Sequence, residues 1–276
     1  MHYLHKVMRN GLPVNRRRLI KTSAALAALV SAASFAAPVK LRVAAASDLK
    51  FALTALAKSF TTVTGIEIDL QFGSSGNFAQ QIQQGLPLDL FLSADESYVI
   101  TLAKAGLAQG GVQDSGVLYA TGRLALILPK NSVIQLPKTE AEARSNLSAQ
   151  LQTVRKFAIA NPEHAPYGRA AKEALQSLGL WEQLQPKLVL GDNISQATQF
   201  VTSGAAQAGI TALSLALAPE VAALSGAYWL MPANLHAPLK QRMVLLKSAQ
   251  PGAKALFDYL QTPAAKAVLA KYGFSA

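Results

Sequence analysis

Four short stretches of this chain place small or turn-forming residues at the start of a helix-like run: Ser47-Asp48, Gly73-Ser74-Ser75-Gly76, Pro166-Tyr167-Gly168 and Asp192-Asn193-Ile194. Each follows a strand-like run, so each opens a helix whose first N–H groups lack partners and whose dipole presents its positive end. The chemistry this allows is the grip of an oxyanion by serine hydroxyls and backbone N–H groups, with no buried lysine or arginine. Such neutral donors suit a binder that must release its cargo, because charge-assisted bonds would hold a dianion harder. One junction alone carries little weight. Ser47 and Ser75 read equally as helix caps and Tyr167 as a half-buried packing residue. Four junctions with no rival catalytic set favour the anion. Asp48 is discordant, since its carboxylate repels an anion unless the side chain turns away while its N–H points inward. Asp192 reads as a cap or turn residue, and Asp89, between Leu88 and Leu90, as a carboxylate satisfied by backbone donors.

Enzyme signatures are missing where they would be expected. GSSGN fails the G-x-S-x-G nucleophile elbow because Asn77 stands at its last position, and it lacks the lysine of a phosphate-binding loop. Beyond residue 36 the only histidines are His164 and His236, in separate loop-like segments, which argues against a zinc site. The sequence has no cysteine, so disulfides, thiolate metal sites and thiol nucleophiles are excluded. A hydrolase built on Ser75 would need a histidine in reach, for which His164 is the candidate.

The elements that must position these residues alternate between strand and helix grammar, as in open, mostly parallel sheets covered by helices. Leu41 to Ala46 reads as an inner strand and Leu49, Leu53, Leu56 and Phe60 as one face of a helix with Ser47 at its cap. Further strands are expected at 66–72, 88–92, 124–128, 157–160, 187–190, 208–211, 228–231 and 243–246. The polar segment from Lys130 to Lys138 reads as a surface connection.

The first 36 residues carry six basic and no acidic side chains, followed by an apolar run from Thr22 to Ala33. This is the pattern of an export signal, with cleavage expected near Ala36. NRRRLIK is similar to a twin-arginine signal, although a general secretory signal fits as well. Without the leader, 20 basic residues face 15 acidic ones, and the formal charge falls from +11 to +5. No basic stripe with interleaved aromatics remains to suggest nucleic acid. The remaining chain of about 240 residues is long enough for two α/β domains.

The strings AAASDLKFAL, FGSSGNFAQQI, GLPLDLFLSAD, NPEHAPYGRAAKEALQSLGLW and FDYLQTPAAKAVLAKYGF occur in series between residues 40 and 275. Together they resemble the periplasmic molybdate-binding proteins of ABC-type uptake systems. The resemblance implies a type II periplasmic binding protein, an α/β fold of two lobes joined by a two-segment hinge. It implies a first lobe of residues 37–119 plus 237–276 and a second of 120–236, with crossovers near Tyr119 to Thr121 and Ala233 to Gln241.

By position, it also implies molybdate or tungstate contacts from the hydroxyls and backbone of Ser47 and Ser75 and from the N–H groups of Tyr167 and Ile194. Asp48 aligns with a site position used in some members. Molybdenum would be held as its oxyanion, with no direct protein ligand to the metal and no cofactor. The partners implied are an inner-membrane permease and its cytoplasmic ATPase, the protein itself being a periplasmic monomer without catalytic residues. One departure stands out: many relatives have a tyrosine where this chain has Ala212, which leaves Tyr167 or Thr211 to compensate. Sulfate or phosphate on the same scaffold is the alternative cargo.

Overall fold

The computed structural model describes residues 40–275, so the expected leader and its cleavage site near Ala36 lie outside the described residues. Ten strands are found there: β1 (Lys40–Ala46), β2 (Glu67–Gly73), β3 (Leu90–Ser93), β4 (Val117–Gly122), β5 (Leu124–Pro129), β6 (Phe157–Ala160), β7 (Leu188–Gly191), β8 (Ala208–Ala212), β9 (Ser225–Leu230) and β10 (Leu239–Leu245). They form two five-stranded sheets, ordered β2-β1-β3-β10-β4 and β7-β6-β8-β5-β9. Each sheet is the centre of one α/β lobe.

The sheets are mixed, not mostly parallel as the alternation of elements suggests. β1 pairs in parallel with β2 and β3, and β6 with β7 and β8, but β10 and β5 run antiparallel to both of their neighbours. The cause is the route of the chain. The chain changes sheet between Gly122 and Leu124 and again between Leu230 and Leu239. β5 and β10 therefore each start at the side from which the chain has just crossed and run away from it. The parallel strands run towards that side, so the junctions after β1, β2, β6 and β7 open on the space between the sheets, the usual place for a ligand in open α/β folds.

Packing follows the apolar pattern. The helix Lys50–Thr64 buries Ala52, Leu53, Leu56, Ala57 and Phe60 against the first sheet and stops at Gly65, whose φ of 73° is the left-handed cap that glycine adopts without strain. Each fully buried leucine or phenylalanine contributes about 1.5–3 kcal/mol, so this face alone anchors β1 and the residues that follow it. On the second sheet, the helix Pro166–Ser177 buries Ala170, Ala171, Ala174 and Leu175. The core of the second sheet also takes in Ala46 and Ala94 of the first, so apolar packing is continuous across the space between them.

Candidate functional site

Ser47, Asp48, Ser75, Tyr167 and Ile194, all singled out from the sequence, line one cavity with Gly73, Ser74, Ala94 and Pro166. Its volume is about 10 Å³. That is far below the roughly 300–1,000 Å³ of pockets for drug-sized molecules, so the site suits nothing larger than a compact ion. A wider open groove adjoins it, sharing Ser47 and Asn193 and carrying Lys50, Phe51 and Phe72. The smaller space is the candidate site, because the backbone donors converge there.

Three helix starts meet at this cavity. Ser75 and Ile194 are the first residues of the helices Ser75–Gln83 and Ile194–Thr202, and Tyr167 is the second of Pro166–Ser177. Among the described residues, no backbone acceptor takes the N–H of Ser75, Tyr167 or Ile194. Neighbouring first-turn donors are already used: Gly76 N–H reaches His164 O at 3.0 Å, and Gln196 N–H reaches Asn193 Oδ1 at 3.1 Å. The unused donors and the dipoles behind them make a positive lining without a single cationic side chain.

The two serines complete the set in a way the sequence did not reveal. Ser47 was expected to cap the first helix. Instead Ser47–Leu49 forms a 3₁₀ turn, the helix begins at Lys50, and neither start has a side-chain cap. Ser47 Oγ accepts the N–H of Ser195 at 3.2 Å, from the other lobe, while Ser195 Oγ donates to Ser47 O at 2.8 Å. Ser75 likewise caps nothing and accepts the N–H of Ala94 at 3.0 Å. Each serine oxygen thus receives a backbone N–H, which leaves its own proton available to a ligand. Both serines are buried, Ser47 at 2% and Ser75 at 0% exposure, so such a bond would form away from water.

Asp48 and Tyr167 belong to a buried polar network behind this lining. Tyr167 Oη donates to Asp48 Oδ2 at 2.9 Å, and Gln241 Nε2 donates to the same oxygen at 2.5 Å. Tyr119 Oη donates to Gln241 Oε1 at 2.7 Å. Asp48 Oδ1 is buried and has no partner among the described residues. Burial, the dominant cause, pushes the Asp48 carboxyl up to about 6 against the bonds from Gln241 and Tyr167 and the backbone N–H groups of Asp48 and Leu49, which lower it. Burial and then the nearby Asp48 charge also raise both tyrosines well above their usual value, so they stay neutral.

Within the Asp48 carboxylate, Oδ2 is bonded to side chains and Oδ1 is not. Ala212 ends β8 as a buried residue. Of the two candidates to replace the missing tyrosine, Thr211 pairs with Thr198 at 2.5 Å and does not line the cavity, whereas Tyr167 does line it with its hydroxyl given to Asp48. Asp192 is an exposed turn residue, and Asn193 caps the following helix. Asp89 accepts the N–H groups of Arg42 at 2.6 Å and Gln250 at 2.8 Å. The histidine that a Ser75 nucleophile would need is paired elsewhere: His164 Nδ1 lies 3.1 Å from Ser74 Oγ, and that hydroxyl donates to His164 O at 2.5 Å. No group of three or more potential metal-ligating side chains occurs among the described residues.

Sequence reasoning missed Tyr119, Ser195, Ser214 and Gln241. Ser214 Oγ donates to Asp48 O at 2.8 Å and fixes the 3₁₀ turn from the second lobe. A signal for Gln241 existed: in LKQRMVL it shares the alternating buried face with Leu239, Met243 and Leu245, where an uncharged polar residue stands out.

Two α/β lobes with a compact site of neutral donors between them define a protein that binds a small solute. The chain belongs to the bacterial extracellular solute-binding proteins, whose family model matches residues 41–275. It is 40% identical over 217 residues to the molybdate-binding protein ModA of Rhodobacter capsulatus, covering 78% of this chain and 80% of that one. With the molybdate-binding protein ModA of Azotobacter vinelandii it shares 37% over 250 residues, covering 90% and 94%. The solved structure of a periplasmic molybdate-binding protein from Azotobacter vinelandii superposes with a TM-score of 0.74 at 31% identity, covering 86% of this chain and 99% of that one.

Proposed function

We propose that this protein is the periplasmic solute-binding component of an ABC-type molybdate uptake system. It captures molybdate, and tungstate with it, between its lobes and passes the anion to an inner-membrane permease driven by a cytoplasmic ATPase. The observation that carries this reading is the convergence of the unused N–H groups of Ser75, Tyr167 and Ile194 with the free hydroxyl protons of Ser47 and Ser75 on one compact cavity. The protein touches only the oxygens of the ligand, performs no reaction on it and needs no cofactor.

The lobes are residues 37–122 with 237–276, and 123–236, the first running past the expected boundary at 119 because β4 stays in its sheet as far as Gly122, and they move about the crossovers near Gly122 to Leu124 and Ala233 to Gln241. Residues 1–36 direct export and are removed, and the mature protein acts as a monomer. Closure excludes water and strengthens each donor, and the higher affinity of the closed form drives the motion. Sulfate is smaller and reaches fewer of the fixed donors at once. A thermal-shift panel tests the reading, since a ligand of the folded form must raise the melting temperature. Molybdate and tungstate should raise it strongly and sulfate and phosphate little; no response to the first two would refute the assignment.

A further inference from the structure

Asp48 is the one ionisable group on the cavity wall whose charge is at odds with the proposed ligand. The residue lines the cavity; its Oδ2 is saturated by Tyr167 and Gln241, while its Oδ1 is buried and takes no side-chain hydrogen bond, with only the backbone N–H groups of Asp48 and Leu49 close to the carboxylate. An ionised carboxylate there would place a bare negative oxygen against an oxyanion in a desolvated space. A neutral acid would place an O–H donor there instead.

We propose that Asp48 enters the liganded site as a neutral carboxylic acid whose Oδ1–H donates to an oxygen of the bound dianion, so that capture of each anion takes up one proton from solvent. This rests on the oxyanion reading above and specifies the state of the site. The balance is simple: ionised Asp48, one solvent proton and the fully deprotonated anion give neutral Asp48 hydrogen-bonded to that anion. The surroundings hold no competing titration. Tyr167 from its helix and Tyr119 from β4 face the group and remain protonated, and Gln241 of β10 and Ser214 carry no charge. The leading influences on the Asp48 carboxyl are burial, the bonds from Gln241 and Tyr167, and the backbone N–H groups of Asp48 and Leu49. The raised carboxyl value of about 6 means that the ligand-free group is mostly ionised at pH 7 but protonated at little cost.

The arrangement also gives each class of anion its own proton balance, whatever its affinity. An anion that brings its own proton, such as hydrogenphosphate, would donate to an ionised Asp48 and bind without proton uptake. Fully deprotonated molybdate, tungstate and sulfate require the neutral acid.

The test is calorimetric titration of the folded protein with molybdate between pH 6 and 8, in buffers of different ionisation enthalpy. The expected result is uptake approaching one proton per anion above pH 7, with the dissociation constant rising about tenfold per pH unit there. Asp48→Asn, which keeps an acceptor for Tyr167 and puts an N–H where the acid proton would be, should abolish both the uptake and the slope. Molybdate binding without proton uptake, at an affinity unchanged across that range, overturns the inference and leaves the functional reading intact. No binding of molybdate or tungstate at any pH overturns both. The measurement on the unmodified protein decides the matter even where the variant fails to fold.

Discussion

Tyr167 donates its hydroxyl to Asp48 over 2.9 Å, joining two residues 119 positions apart on opposite lobes. The bond sits directly behind the cavity, and Gln241 at 2.5 Å and Tyr119 beyond it extend the pairing into the strands next to the crossovers. The state of one carboxyl is thereby tied to the meeting of the lobes. Gly122 marks how tight this is, because a Cβ there would lie 2.2 Å from Tyr167 Oη and 2.8 Å from Gln241 Nε2.

The stability of the ligand-free protein should carry the signature of Asp48. Its folded value of about 6 lies above the ordinary 3.8, so its favourable contribution is complete below about pH 4 and is lost as pH rises through 6. The loss is of order 3 kcal/mol. Urea unfolding of the parent and of Asp48→Asn at pH 5 and pH 8 reads the part lost between those values, about half of the total or roughly 1.4 kcal/mol, the variant gaining on the parent at the higher pH. An equal difference at both pH values would show that the carboxyl is not perturbed.

Ser75→Ala removes a hydroxyl whose oxygen is fixed by Ala94 N–H and whose proton is free. Losing one donor to a charged ligand should weaken molybdate binding by about 1.5–3 kcal/mol, or roughly tenfold to a hundredfold. Calorimetric affinities of parent and variant check this, and equal values would remove Ser75 from the ligand set.

Gly76 lies against the other lobe, its N–H bonded to His164 O. A Cβ there would meet His164 O at 2.5 Å and Tyr98 Oη at 2.8 Å. Gly76→Ala should leave each lobe folded, since alanine suits a helix better than glycine, yet hold the lobes apart. We expect affinity to fall by more than about tenfold and small-angle scattering to show no compaction on adding ligand. Normal compaction would mean that the backbone yields locally.

Arg169, two residues beyond Tyr167, pairs with Asp95 and donates to Tyr98 Oη at 2.9 Å, bridging the lobes outside the cavity. The pair is partly exposed, with 36% and 28% of the two side chains accessible, so its removal should cost no more than about 1 kcal/mol. Arg169→Ala should therefore speed ligand release by up to about fivefold with the melting temperature of the free protein little changed. Stopped-flow dissociation measures it, and an unaltered rate would make the bridge incidental to closure.

The four junctions could be read in the sequence because each is local: a strand, a small residue, a helix start. Their meeting at one point was accessible only through family resemblance, since β2 beside β1 and β7 beside β6 are pairings made by tertiary packing. β4 is hard to see in the sequence because the crossover implied near Tyr119 to Thr121 falls inside it, although Tyr119, Ala120 and Gly122 are buried there. The central antiparallel places of β5 and β10 depend on where the chain changes sheet, which no local pattern records. The direction of the Tyr167 hydroxyl was equally hidden, because its partner and Gln241 come from distant segments. Asp48 is discordant in the sequence itself, but only the fold shows that Oδ2 takes two side-chain bonds and Oδ1 none.

Ser47 receives an amide hydrogen from Ser195 of the opposite lobe, whereas Ser75 receives one from Ala94 of its own. Opening the molecule would therefore leave the second hydroxyl aimed and set the first one spinning. Arrival and retention then become separate acts: half the cradle stands ready to meet an incoming ion, and the other half takes shape only around it. A permease that prises the lobes apart would not have to pull the ion out, because the opening itself disarms part of the grip.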